Sequence, residues 1–270
     1  MSNRIFSNLK YPPDYYAFQP GDAIFPGDGG YWLDMGDWDN MYLDRAMTVK
    51  VSAPGQAVAA IRDKGRNGFH VYQDTPSRRP LSWQSGGIRG LDFIAANLHC
   101  MYSDIGGIAL AVNHGWAIFE SDLTNNFLRV WSTSGDATSD GVGPSAMVLS
   151  TGDNATYADL RCLSLSWQVQ VGGVGVSPRA LYEYEVNQPA STMKIWFNDA
   201  LSTQDNSRSG NLQALSDNRV VIGALSQNGE PSGGAPGAFD GRMFQLLHCG
   251  TIPSLADQAK IEAWFDKWRW

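Results

Sequence analysis

Long apolar runs are missing from this chain, and so is any extended basic cluster. No stretch approaches the roughly 20 apolar residues that a membrane-spanning helix needs, and Met1-Ser2-Asn3-Arg4 does not open an apolar secretory segment. Together these absences lead us to expect a protein made and folded in a cytoplasm, without membrane insertion. Lys and Arg number 20 against 27 Asp and Glu, a formal net charge of −7, and the basic cluster that exists is only the pair Arg78-Arg79. Broad nucleic-acid affinity needs clustered cations to neutralise phosphates, so no nucleic-acid partner is expected.

Reactive side chains are equally sparse. Cys100, Cys162 and Cys249 are odd in number and have no metal-ligand spacing, which makes them buried thiols rather than a disulfide framework. His70, His99, His114 and His248 fall in separate strands or turns, and no Gly-x-Ser-x-Gly elbow accompanies them, which argues against nucleophilic catalysis. The Gly-rich text at Gly172-Gly173-Val174-Gly175 lacks the Lys of a phosphate loop and reads as a loop or bulge. Neither heptads nor a 20 to 50-residue repeat is evident.

What the chain does hold is glycine and tryptophan. Its 29 glycines and ten tryptophans in 270 residues fit short strands, tight turns and an aromatic-filled core better than a helical bundle. Short β-branched and aromatic runs at Ile108 to Val112, Ala117 to Phe119, Phe127 to Trp131, Leu163 to Val171, Leu181 to Val186 and Met193 to Phe197 read as strands. The last of these turns back at Asn198-Asp199, residues that tolerate positive φ. Residues 1–27, rich in Tyr, Pro and Asp, form an extended arm that lies either along a neighbouring surface or as a strap on its own domain, 28–270.

The end of the chain is the most legible part. Gly241 to Cys249 carries large apolar side chains on both faces of a period-two pattern, as a central strand covered on both sides would. Pro253 stops it, and Ser254 is an N-cap with Asp257 three residues on. Ile261, Trp264, Phe265 and Trp268 then make one apolar stripe, predicting a helix that closes over a sheet edge or end. Its acidic Asp257, Glu262 and Asp266 argue against a membrane-seeking helix.

The order of these elements resembles a known family. Trp32-x-Asp34-x-x-Asp37, Tyr42-Leu43-Asp44, an apolar strand into Asp63-Lys64-Gly65-Arg66-Asn67-Gly68, Arg79-Pro80 and Leu91-Asp92-Phe93 are followed much later by Val221-Ile222-Gly223 and Phe239-Asp240-Gly241-Arg242. This text is similar to the concanavalin A-like, laminin-G-like domains of phage and prophage structural proteins. Met35 and Arg66 depart from it, standing where the family usually has Pro and a small residue. The resemblance implies an all-β, two-sheet antiparallel concanavalin A-like jelly-roll sandwich with a short C-terminal helix. It also implies a non-enzymatic virion protein, assembled in the bacterial host cytoplasm. Such a protein would decorate the head or form part of a tail fibre or tail tip, as a homo-oligomer among other capsid or tail proteins.

Three chemistries remain open on the residues. Glu183 and Glu185 share one face of a strand, which suits either a solvated outer face or a retaining glycosidase pair, although the third acid of a glucanase series is absent. Asp34, Asp37, Asp39 and Asp44 cluster as oxygen ligands suited to calcium, or as turn-forming acids. Binding of host-surface polysaccharide needs an aromatic face beside polar loop residues, and Trp131 with Asp136 and Asp140, or Trp38 with Asn40, has that composition.

Overall fold

The computed structural model describes residues 18–104, 111–122, 129–133, 147–151, 157–162, 167–172, 179–187, 189–198, 200–205, 219–227, 230–232 and 238–268. In chain order the first strands are β1 Tyr31–Asp34, β2 Met41–Tyr42, β3 Ala60–Ile61, β4 Val71–Tyr72, β5 Leu81–Ser85, β6 Ile88–Phe93 and β7 Met101–Ser103. They continue as β8 Val112–Ser121, β9 Arg129–Thr133, β10 Met147–Thr151, β11 Tyr157–Cys162, β12 Trp167–Gly172 and β13 Ala180–Asn187. The last are β14 Thr192–Phe197, β15 Ala200–Asp205, β16 Val221–Ile222, β17 Leu225–Gln227, β18 Glu230–Ser232 and β19 Gly241–Cys249, followed by helix α1, Leu255–Phe265.

Two antiparallel sheets form a sandwich, as expected. One runs β15-β14-β13-β8-β19-β6-β5, with β1 also on β19; the other runs β12-β11-β10-β9-β16-β7-β4-β3-β2. Alternation sends Ala117 and Phe119 of β8, Tyr182, Tyr184 and Val186 of β13, and Met193 and Ile195 of β14 inward. There they meet Met41, Ile61, Val71, Met101, Trp131, Leu149 and Ile222 from the opposite sheet. Tyr184 lies flat across Gly115, where an added methyl would sit 2.1 Å from its ring, so only glycine admits it.

The first sheet is apolar on its outer face too. Trp116 and Ile118, Leu181, and Phe244, Leu247 and Cys249 of β19 form a second cluster with Trp32, Ile261 and Phe265. Ser254 caps α1 by accepting the Asp257 backbone N–H at 3.2 Å, and Trp264 meets Trp32 edge-on at 5.2 Å. Trp268 lies against Gly36, leaving no room there for a Cβ. Ala23, Ile24 and Phe18 join the same cluster, so residues 18–27 strap their own domain at this point; the arm's residues 1–17 lie outside the described residues. The helix therefore covers the face of the sheet, not its edge or end, because the apolar outer rows of β8, β13 and β19 lie mid-sheet.

Elsewhere the strand boundaries shift. Asn198 turns the β14–β15 hairpin with φ 47°, as expected. Of the run predicted from Leu163 to Val171, residues 163–166 lie outside the described residues, and the rest falls in β12, the second arm of an antiparallel pair in which Cys162 lies opposite Trp167. Its first arm, β11, carries too mixed a sequence to show period-two patterning.

Candidate functional site

Beyond the helix, the outer face of the same sheet turns polar. Glu183 pairs across β13 with Trp116 of β8 on one side and Trp196 of β14 on the other; Glu185 pairs with His114 and Lys194. Two rows of three side chains therefore stand on one face, Trp116–Glu183–Trp196 and His114–Glu185–Lys194. Trp116 is buried beneath the second apolar cluster, whereas Trp196 and Lys194 on the side away from the cluster are partly exposed.

The rows are cross-linked. His114 Nε2 lies 2.6 Å from Glu183 Oε1, and its Nδ1 lies 3.7 Å from Glu185 Oε2, too far for a hydrogen bond. Lys194 Nζ donates to Glu185 Oε1 at 2.8 Å. The imidazole stacks on Trp116 at 4.2 Å and on Trp196 at 5.8 Å between centroids. Burial pushes the His114 pKa down to about 3, with the Glu185 charge opposing and Lys194 reinforcing the shift, so the ring is neutral at pH 7. Trp116 Nε1 and His114 Nδ1, both buried, have no hydrogen-bond partner among the described residues. The two glutamates are only 5% and 8% exposed, so the solvated outer face that their spacing allowed is replaced by a packed one. An aromatic surface beside carboxylates and an ammonium can stack on an apolar sugar face and bond its hydroxyls.

The tryptophans singled out in the sequence lie elsewhere. Trp131 is 0% exposed, packed between the sheets against Tyr184 and His248 at 5.8 and 6.0 Å. Trp38 is 5% exposed and lies under the Arg89 guanidinium at 4.5 Å. Neither presents a ring face to solvent. The reason is positional: Trp131 occupies an inward position of β9, and Trp38 opens a 3-10 turn whose ring packs into the core. Asp136 and Asp140 lie outside the described residues.

The acidic cluster is organised by lysines. Lys64 Nζ donates to Asp34 at 2.8 Å and to Asp37 at 3.1 Å, and Asp39 takes Lys50 at 2.8 Å. Asp44 accepts the backbone N–H groups of Thr48 and Val49, and Asn40 donates to Asp37. Burial raises the Asp34 pKa against the opposing charge of Lys64. Burial alone would lower that of Lys64, but the Asp34 charge and hydrogen bond overcome it and leave it raised. Among the described residues no three His, Cys, Asp or Glu side chains are grouped to hold a metal. Where calcium was expected, lysine ammonium groups thus stand against Asp34, Asp37 and Asp39, and Asp44 is taken up by the backbone of its own turn.

Sequence reasoning found Glu183 and Glu185 but missed His114, Lys194 and Trp196. Those three become neighbours only through the registers of β8 and β14 against β13, which no local signal encodes.

No protein-family model matches the chain, and no curated protein matches its sequence. Its structure is similar to an arabinofuranosidase solved with arabinofuranosyl-α-1,2-xylobiose, at 11% identity and a TM-score of 0.52, over 77% of this chain and 50% of that one. It is also similar to the CBM40 of a Ruminococcus gnavus IT-sialidase bound to α2,3-sialyllactose, at 12% identity and a TM-score of 0.46, over 57% of this chain and 83% of that one. A third likeness is to the NanB sialidase of Streptococcus pneumoniae, at 10% identity and a TM-score of 0.42, over 56% of this chain and 24% of that one. At 11% identity the likeness to the arabinofuranosidase shows a shared fold alone.

Proposed function

We propose that this β-sandwich binds glycans without cleaving them, through the outer face around Trp196, and that it does so displayed on a bacteriophage particle. The observation that carries the binding reading is the partly exposed Trp196 ring, backed by His114 and flanked by Lys194 and Glu185. Stacking on an indole beside fixed hydrogen-bonding groups is how a shallow protein face holds a sugar. The structural likeness to an arabinofuranosidase solved with an oligosaccharide is in keeping with it.

The absence of cleavage is argued from the carboxylates. A glycosidase needs one carboxyl to protonate the leaving oxygen and a second to attack or activate water. Here Glu183 is engaged by His114 and Glu185 by Lys194, and both are nearly buried, which suits them to hold the face together. Placement on the particle rests on the sequence resemblance to virion domains, and with it come capsid or tail proteins as partners and a homo-oligomeric state.

The test is retention on immobilised glycans of the host surface, compared with Trp196→Ala at matched folding. Retention lost in the variant, with no new reducing ends released by the wild type, is the expected result. Retention unaffected by the substitution, or release of reducing ends lost on Glu183→Gln, overturns it.

A further inference from the structure

Lys64, Asp34 and Asp37 form a group that the glycan face does not use. We propose that Lys64 and Asp34 close into an intramolecular amide between Nζ and Cγ, an isopeptide cross-link that ties the first sheet to the second. Asp34 ends β1, which pairs with β19, and Lys64 follows β3 of the opposite sheet. Backbone bonding fixes the two segments against each other: the Lys64 N–H donates to the Trp32 carbonyl at 2.9 Å, and the Trp32 N–H donates to the Asp63 carboxylate at 2.8 Å. Nζ then lies 2.8 Å from Asp34 Oδ2, which holds the nucleophile beside the carboxyl carbon.

The surroundings supply what else amide formation needs. The other carboxyl oxygen, Oδ1, accepts N–H groups from Gln245 and, at 3.1 Å, from Gly36, donors placed for the charge that this oxygen carries in a tetrahedral intermediate. Gln245 is itself held by Trp32 Nε1 at 3.1 Å, and the Trp32 ring lies 4.5 Å from Nζ as an apolar wall. Burial disfavours the charged form of both partners, and raises the Asp34 pKa. What keeps Lys64 protonated against its own burial is the Asp34 charge and hydrogen bond, and that charge disappears once the proton crosses. One proton passes from Nζ to Oδ2 directly. A second leaves Nζ through Asp37, whose Oδ2 accepts from Nζ at 3.1 Å and from Asn40 at 2.7 Å. The N–C bond forms, the bond from Cγ to Oδ2 breaks, and Oδ2 departs as water with both protons. An ammonium and a carboxylate thus become a neutral amide, Asp37 ends as it began, and no co-reactant is consumed.

The experiment is intact-mass spectrometry of the denatured full chain, with peptide mapping, for wild type, Lys64→Arg and Asp37→Asn. The wild type should be lighter than its sequence by one water and should yield a branched peptide that joins Asp34 to Lys64 and resists trypsin at Lys64. Lys64→Arg keeps the positive charge without the amine and should show its full sequence mass, while Asp37→Asn should leave a larger fraction unlinked. A wild type at its full sequence mass overturns the proposal whether or not the variants fold. So does a lost water without the branched peptide, which marks a succinimide instead. An Asp37→Asn chain linked as completely and as fast as wild type overturns the proton route.

Discussion

One sheet face, built by the same alternation on the same strands, ends in two different surfaces. Where α1 and the strap lie, β8, β13 and β19 present Trp116, Ile118, Leu181 and Leu247, sealed by Ile261, Phe265 and Trp264. Where they do not, the same strands and β14 present His114, Glu183, Glu185, Lys194 and Trp196. Strand geometry is common to both, so it is the cover that decides which residues each position tolerates. Burial of Phe265 or Ile261 contributes about 1.5 to 3 kcal/mol for each side chain. The polar rows gain by pairing instead, since a carboxylate taken out of water is costly unless bonded.

The largest expected effect breaks the sealed half. Phe265→Ala removes a fully buried ring from beneath the sheet and should cost about 3 to 5 kcal/mol in chemical denaturation. Trp131→Ala in the inter-sheet core should cost a similar amount, about 3 to 5 kcal/mol, which separates a core tryptophan from a binding one. If Trp131→Ala were to leave stability intact, its assignment to the core would fail.

A second effect comes from pH and sharpens the polar half. His114 has a folded pKa of about 3 against an ordinary value of 6.5, so between those values the unfolded chain binds a proton that the folded one does not. Stability attributable to this ring is complete above pH 6.5 and falls as pH is lowered toward 3, with a slope of up to about 1.4 kcal/mol per pH unit. Burial lowers the pKa of His70 and His99 as well, so the informative quantity is the difference from His114→Gln, which keeps a donor for Glu183 and does not titrate. The variant should show the shallower slope between pH 6 and 4, within the window set by the cited values. Equal slopes would mean that the ring is not held neutral by burial.

The smallest expected stability change belongs to Trp196→Ala. A partly exposed residue on β14, outside the apolar cluster, should lose about 1 kcal/mol or less, well below the change for Phe265→Ala. A loss as large as that for Phe265→Ala would erase the distinction between the two halves.

Much of this comparison was legible in the sequence, though unevenly. The two-faced apolar pattern of Gly241 to Cys249, the Ser254 cap and the Ile261–Phe265 stripe announce a central strand and a closing helix, because local periodicity and capping are local signals. Their destination was not local: the helix lies on a face because Trp116, Leu181 and Leu247, distant in sequence, line up through register. The site followed the same rule. Alternation put Glu183 and Glu185 on one face, but their burial depends on His114 and Lys194, brought from β8 and β14. Trp38 and Trp131 misled because composition cannot distinguish a tryptophan beside polar residues in a loop from one whose ring turns into the core. The aspartates near Asp34 misled for a related reason, since the spacing of acids does not reveal the lysine 27 to 30 residues away that satisfies them.

The most direct test of the central claim is a side-by-side measurement of glycan retention and melting temperature for wild type and Trp196→Ala. We expect the wild type to be held by a host-surface glycan. Trp196→Ala should lose about tenfold or more of that affinity while melting within a few degrees of the wild type. Full retention by a folded Trp196→Ala protein would contradict the account and remove the uncovered half of the sheet as a binding face.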